Sequence, residues 1–336
     1  MSQPGLLLGG DRFGIPQGLP ACHTTRQGAR LGRPVNEARI GIDVGGTAIK
    51  LGAVHASGEI IGETQLDLGP QPKLEQALDE TMRLAHGLSR EIGCVGVGLP
   101  GLLDRESGTV EASPNLPWLE KRAVRDLLAV RFGLAPSKVR LENDGNVAAL
   151  GELWLGAGRG NSHVLVVTLG TGIGGGLILN DMLYIGEGLA GEVGHLVLDP
   201  RGPRCGCGGS GCLEQYASAS AAIRRAKLRE LPAGDPGNLK RLAQLAAQGS
   251  APERDLLEEI GCDLGHGLAQ VVSLLDVRTF VIGGGFGAAL EQLMPGIRRG
   301  LDEWSYGKRV EHLRILPAEL GARAGWIGAA RLVDLP

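Results

Sequence analysis

Aromatic residues make up only 3% of this 336-residue chain, and no stretch of it is continuously apolar over the length of a membrane span. Leu6-Leu7-Leu8 is the one apolar run in the first 37 residues, too short for a signal-peptide core. Cysteine is also scarce. Of six, Cys22, Cys94 and Cys262 are scattered and three crowd into one segment, whereas a disulfide-stapled secreted domain is denser and shorter. These shortages make the cytoplasm the expected compartment. The formal charge of −3 offers neither nucleic acid nor a membrane an electrostatic reason to bind. No G-X-Y period runs through the 56 glycines, which excludes collagen, and no Gly-Lys-Ser/Thr ending marks a P-loop.

What is present is an ordinary globular balance, 43% hydrophobic and 21% charged, in a length that suits one large or two medium domains. So many glycines imply tight turns and close backbone approaches. Residues 1–37, dominated by Gly, Pro, Gln and Arg, read as a disordered N-terminal extension.

From residue 38 the runs 39–44, 48–54 and 60–68 predict an antiparallel meander, and the spacing over 74–92 predicts a helix. Strands at 94–98 and 138–142 follow, the second opening a helix through about 155. The pattern then returns: strand 163–168, a glycine turn, strand 176–179, an Asn180-Asp181 hairpin signal and strand 182–185. Helices over 218–229, 238–247 and 253–275, a buried strand at 279–282 and a closing helix over 322–332 complete the reading. Asp-Val-Gly-Gly-Thr from Asp43 and Thr-Leu-Gly-Thr-Gly from Thr168 sit about 125 residues apart, each between two strands. Two related α/β lobes facing a cleft are the expectation.

Both glycine turns bring backbone N–H groups near a place where an anion could sit. The first also carries Asp43, Thr47 and Lys50. A carboxylate beside a phosphate cradle makes sense with a cation between them, and Mg²⁺ suits that place; a plain glycine hairpin is the plainer alternative for either turn alone. Gly170, Gly172 and Gly175 match the dinucleotide fingerprint, but that fingerprint needs a following helix, and hairpin chemistry follows here. Asn143-Asp144-Gly145-Asn146 lies between a strand and a helix. Helix capping accounts for it best on its own, and a general base on a substrate hydroxyl is the functional alternative.

His195, Cys205, Cys207 and Cys212 form H-x9-C-x-C-G-x-x-G-C. One His and three Cys complete a closed tetrahedral zinc shell, which argues for a structural ion that pins the segment carrying Glu192 and Glu214. The His195 ring could bind metal through one nitrogen and offer the other to a ligand.

In order, IGIDVGGTAIKLGAV, GLPG, SPNLPW, LENDGNVAALGE, TLGTGIGGG, GEVGH and CGCGGSGCLEQYAS resemble the ROK family of sugar kinases and sugar-responsive repressors, over about residues 39–330. The resemblance implies a two-lobed actin-like ATPase, an α/β fold with ribonuclease-H-like lobes, an interlobe cleft and a structural zinc site. Its lobes would be 38–146 plus 320–336 (small) and 147–319 (large, with the zinc motif). By resemblance, Asp43, Gly45, Gly46, Thr47 and Lys50 form one phosphate motif; Gly170, Thr171 and Gly172 form the second; Gly283, Gly284 and Gly285 lie near adenosine. Asp144 takes the catalytic-base position, which reverses the preference for capping alone. Asn143, Glu192, His195 and Glu214, with Gly101 and Asn115 as further contacts, match sugar-binding positions.

The implied reaction moves the γ-phosphoryl group of ATP, with Mg²⁺, to the primary hydroxyl of a hexose. The LEQYAS run points to the glucokinase branch. Fructose, N-acetylmannosamine and N-acetylglucosamine are alternative acceptors, and polyphosphate is an alternative donor. A homo-oligomer, dimer or tetramer, is implied as well. A repressor of this family would carry a helix-turn-helix ahead of the first phosphate motif. The Gly/Pro-rich residues before it contain no amphipathic helix pair.

Overall fold

The computed structural model describes residues 37–113, 115–232, 236–306 and 312–335. The expected extension over 1–37 lies outside them, Glu37 excepted. The chain opens with the meander β1 (Ala38–Val44), β2 (Ala48–Val54) and β3 (Ile60–Asp67). β1 is buried almost throughout, while β3 alternates half-buried and exposed residues, as an edge strand covered on one face should. α1 (Leu74–Leu88) buries Leu74, Ala77, Leu78, Thr81 and Ala85, one face of a 3.6-residue period. It stops earlier than the expected 92, because Ser89 turns extended and the chain enters β4 (Ile92–Leu99).

A small hairpin, β5 (Leu102–Asp104) and β6 (Thr109–Ala112), and then α2 (Val124–Phe132) precede β7 (Val139–Asn143) and α3 (Asp144–Leu155). The sheet order is β3-β2-β1-β4-β7, with β4 and β7 parallel to β1.

The second half repeats this plan. β8 (His163–Leu169), β9 (Ile173–Leu179) and β10 (Met182–Tyr184) form another meander. Asn180 and Asp181 both adopt positive φ, +54° and +63°, as a tight two-residue hairpin turn requires. Helices α4 (Glu214–Ala217), α5 (Ala219–Leu228), α6 (Pro236–Ala247) and α7 (Ala251–Leu275) lead to β11 (Thr279–Gly283), followed by α8 (Leu290–Trp304), β12 (Arg314–Pro317) and α9 (Ala324–Leu332). The order β10-β9-β8-β11-β12, with β11 and β12 parallel to β8, matches the first sheet strand for strand. The internal repeat read from two glycine turns is therefore a repeat of whole sheets.

α3 and α9 cross between the sheets. Val147, Ala149 and Leu150 of α3 share a core with Val164, Val166 and Ile178 of the second sheet. α9 lies on the first sheet so closely that a Cβ on Gly41 would fall 1.8 Å from the Trp326 carbonyl oxygen. Where the helices cross, a Cβ on Gly328 would fall 1.6 Å from the carbonyl oxygen of Val147. Only glycine permits either approach. The expected division at 146/147 falls inside the first turn of α3. Among the described residues no helix is long and apolar enough to cross a membrane.

Candidate active site

Three strand ends meet at the crossing of α3 and α9. The β1–β2 turn closes with the Gly45 N–H donating to the Ala48 carbonyl at 2.9 Å, and Asp43 pairs in register with Lys50. The β8–β9 turn closes with the Gly170 N–H on the Gly172 carbonyl at 2.9 Å; the Gly170 carbonyl accepts from Ala219 at the start of α5. At the end of β11, Gly284 has φ +81°, and a Cβ there would fall 2.4 Å from the Leu169 carbonyl oxygen. Asp43, Lys50, Asp144, Thr168 and Gly283–Gly285 line one cavity of about 450 Å³. A neighbouring cavity of about 630 Å³ shares Gly285 and adds Gly170, Thr171, Ser220, Lys240 and Gln292, with much of its wall apolar. β9, not a helix, follows the second turn, which removes the dinucleotide reading.

The Asn-Asp turn divides its two readings between two residues. Asn143 is the N-cap of α3, its Oδ1 accepting from Gly145 at 2.8 Å and Asn146 at 3.4 Å. That leaves the Asn143 Nδ2 group as a donor. Asp144 accepts from the Gly145 N–H at 2.9 Å and still lines the cavity. Burial raises the Asp144 carboxyl above its ordinary range, against backbone hydrogen bonds that lower it. Asp43 is pushed up to about 6, by burial first and by the facing Asp144 second, with Lys50 opposing. Its carboxyl also abuts α9, where a Cβ on Gly325 would fall 2.5 Å from its carboxyl carbon.

Glu192 lies within electrostatic reach of His195, Asp144 and Glu214. Burial raises the Glu192 carboxyl, His195 lowers it, and Asp144 and Glu214 raise it further. A Cβ on Gly172 would fall 2.7 Å from Glu214 Oε2, so this carboxylate touches the second glycine turn. Its other oxygen, Oε1, accepts from the Cys205 thiol at 3.0 Å. Gly101 (φ +111°) packs on the Ala112 carbonyl, and Asn115 is exposed just beyond. The electrostatic interactions that link Glu192 with Asp144, His195 and Glu214 involve neither.

The ligand atoms of His195, Cys205, Cys207 and Cys212 all lie within 4.8 Å of one another. Cys205 Sγ is 3.7 Å from His195 Nδ1, and Cys207 Sγ is 3.6 Å from Cys212 Sγ. Tetrahedral zinc with ordinary bond lengths has S–N and S–S edges of about 3.6 and 3.8 Å. The donors fit a zinc ion, and because Nδ1 faces the thiols, Nε2 is the nitrogen left for another partner.

The family model described as "ROK family" matches residues 39–335. The chain belongs to the ROK family. A glucokinase from Streptomyces coelicolor is 35% identical over 316 residues, 88% of this chain and 98% of that one. The crystal structure of a ROK family glucokinase from Streptomyces griseus, in complex with glucose and AMPPNP, superimposes with a TM-score of 0.73 at 36% identity, covering 88% and 98% of the two chains. A putative xylose repressor from a Caldicellulosiruptor species is 31% identical, covering 88% of this chain and 77% of its own. Kinases and repressors thus share this ROK frame, and the side chains at the cleft must carry the argument for one or the other.

Sequence reasoning missed the support behind this ROK site. Glu142, 3% exposed, accepts from the Asn143 N–H at 2.8 Å, from Asn146 Nδ2 at 3.0 Å and from Arg105 Nε at 2.7 Å, with a second Arg105 contact. It holds the backbone that presents Asp144. Glu142 stands within the quoted LENDGNVAALGE run, but nothing local signals Arg105, which lies 37 residues away. Ser220, Lys240 and Gln292 were missed as well; they come from three helices that converge only in the fold.

Proposed function

We propose that this chain is an ATP-dependent hexose kinase that phosphorylates the 6-hydroxyl of glucose. The placement of Asp144 supports this most directly: its carboxylate lines a cavity with Asp43, Lys50 and the glycines Gly283–Gly285, and Glu192 is near enough to feel its charge. The larger, more apolar cavity suits a nucleotide base, and the glycine turns with Lys50 suit its phosphates. Glu192 and Glu214, with His195 Nε2 and Asn143 Nδ2, offer acceptors and donors to a polyol. The bound glucose in the Streptomyces griseus relative supports that sugar over the alternatives.

In this reading O6 of the sugar attacks the γ-phosphorus in line while Asp144 accepts the hydroxyl proton. The bond from phosphorus to the β-phosphate oxygen breaks, and ADP leaves with that electron pair. Asp43, whose bare charge desolvation disfavours, is the residue that would hold Mg²⁺, which would supply positive charge to the phosphates. His195, Cys205, Cys207 and Cys212 would hold structural zinc as thiolates and imidazole, anchoring the segment that leads into Glu214. The two halves, 38–146 with 320–336 and 147–319, would act as lobes that close to exclude water.

The test is Asp144→Asn. Turnover of Mg-ATP and glucose should fall by at least ~10³-fold, within the range of a lost general base combined with a misplaced hydroxyl, while glucose still binds. Near-normal turnover overturns the assignment. The relative named a putative xylose repressor favours a second reading, a sugar sensor without catalysis. A parent chain that binds glucose and releases no ADP would establish it.

A further inference from the structure

On the far face of the large helical layer, α7 and α8 touch backbone to backbone. A Cβ on Gly261 would fall 2.2 Å from the Leu293 carbonyl oxygen, and one on Gly300 would fall 2.2 Å from the carbonyl oxygen of Cys262. Gly265 and Gly296 are equally tight against the opposite helix, at 2.4 and 1.9 Å. Two glycine pairs four residues apart therefore interlock, and short side chains flanking the contact can converge. Cys262 and His266, four residues apart on α7, point the same way. Glu303, one turn beyond Gly300 on α8, meets them.

The three ligand atoms form a compact triangle. Cys262 Sγ is 3.7 Å from both His266 Nε2 and Glu303 Oε2, and the latter two are 2.7 Å apart. A tetrahedral zinc ion has S–N and S–O edges of about 3.6 Å and an N–O edge of about 3.3 Å. Two edges already match, and the third opens by rotating the half-exposed Glu303. The S–N spacing equals that between Cys205 and His195 in the first cluster. Trp304 stacks on the His266 ring, centroids 4.2 Å apart and 16° from parallel, which fixes the direction of Nε2.

Two other charges border the triangle. Arg299 reaches the Cys262 thiol but also pairs with Glu258 at 3.6 Å, so it has a carboxylate to retain when the thiol binds an ion. Asp263 is held by Arg225 at 2.5 Å.

The geometry points to a second metal site on this chain, in which Cys262, His266 and Glu303 bind a divalent transition ion, zinc foremost. Thiolate, imidazole and carboxylate together suit zinc or cobalt over magnesium or calcium. The fourth position faces solvent, so water completes the shell, and the ion clamps α7 to α8. This site is separate from the Cys205–Cys212 knuckle and does not depend on the proposed kinase reaction.

The test counts metal on the full-length protein. Metal-depleted chain is loaded with Co²⁺ or Zn²⁺ alone, desalted and analysed for metal per chain. The parent should retain about two equivalents and Cys262→Ser about one, with one thiolate–cobalt charge-transfer component lost. A parent that retains one equivalent, or a Cys262→Ser chain that keeps two, overturns the site. Should Cys262→Ser not fold, Glu303→Gln at the surface serves instead. In competition with a chromophoric chelator it should weaken the second zinc equivalent by more than ~10-fold, and unchanged affinity refutes the proposal.

Discussion

Asp43→Asn should make the unliganded protein more stable while destroying its activity. In the folded chain half-buried Asp43 is pushed up to about 6 from 3.8 for an ordinary aspartate, by desolvation in the cavity wall first and by the charge of Asp144 second. Below about pH 4 folded and unfolded chains both carry the proton, and the residue has no effect on stability. As pH rises from about 4 to 6 the unfolded chain ionises freely and the folded chain resists, so stability falls. Above about 6 the loss is complete. A gap of roughly two pH units, at about 1.4 kcal/mol each, amounts to about 3 kcal/mol. Asparagine keeps the shape and removes the charge. In thermal or urea unfolding without nucleotide or added magnesium, the variant should exceed the parent at pH 7.5 by about 2–3 kcal/mol, or about 5 °C. The two should converge near pH 4. Mg-ATP turnover should be lost in the same variant, since the charge that costs stability is the one proposed to hold the cation. A variant no more stable than the parent at pH 7.5, or a gap unchanged at pH 4, would refute the reasoning.

Removing Arg105 leaves the Glu142 carboxylate buried with two weaker donors; Arg105→Ala should cost about 3 kcal/mol in denaturant unfolding and lower kcat more than glucose affinity. Cys207→Ser deletes an exposed thiol and opens no core cavity, so a drop in both melting temperature and glucose affinity, read by calorimetry, would tie the knuckle to the sugar site. Glu152, 1% exposed, accepts from the N–H groups of Ala157, Glu319 and Leu320. Glu152→Gln should lose about 1–3 kcal/mol by unfolding, with glucose affinity little changed.

Much of the fold could be read because its punctuation is local. Asn180-Asp181 forces a tight hairpin whatever surrounds it, and the period of α1 places its buried face without knowledge of the partner. The paired glycine turns exposed the repeat for the same reason. α8 was missed although Leu290, Leu293, Ile297 and Leu301 lie on one face, because Pro295 interrupts the run and reads as a breaker. It lies past the first turn, so α8 forms with one backbone hydrogen bond fewer and is held by its buried face of Leu290, Leu293, Ile297 and Leu301. β12 and the β5–β6 hairpin are three or four residues each, too short for any period to register.

The site separates along a different line. Residues whose chemistry is local were found: Asn143 caps the helix it precedes, and the Cys-His knuckle closes within 18 residues. Side chains that act on a neighbour distant in sequence were not. Arg105 matters only because β5 lies beside β7, and Cys262, His266 and Glu303 converge only because two glycine pairs let their helices touch. Glycine counts in the sequence showed that close approaches exist. Which elements make them is decided by the sheets, and the sheets are long-range objects. The side chains most exposed to this blind spot are those that position or clamp a site from outside it, so they are where mutational tests can add most to a motif-based assignment.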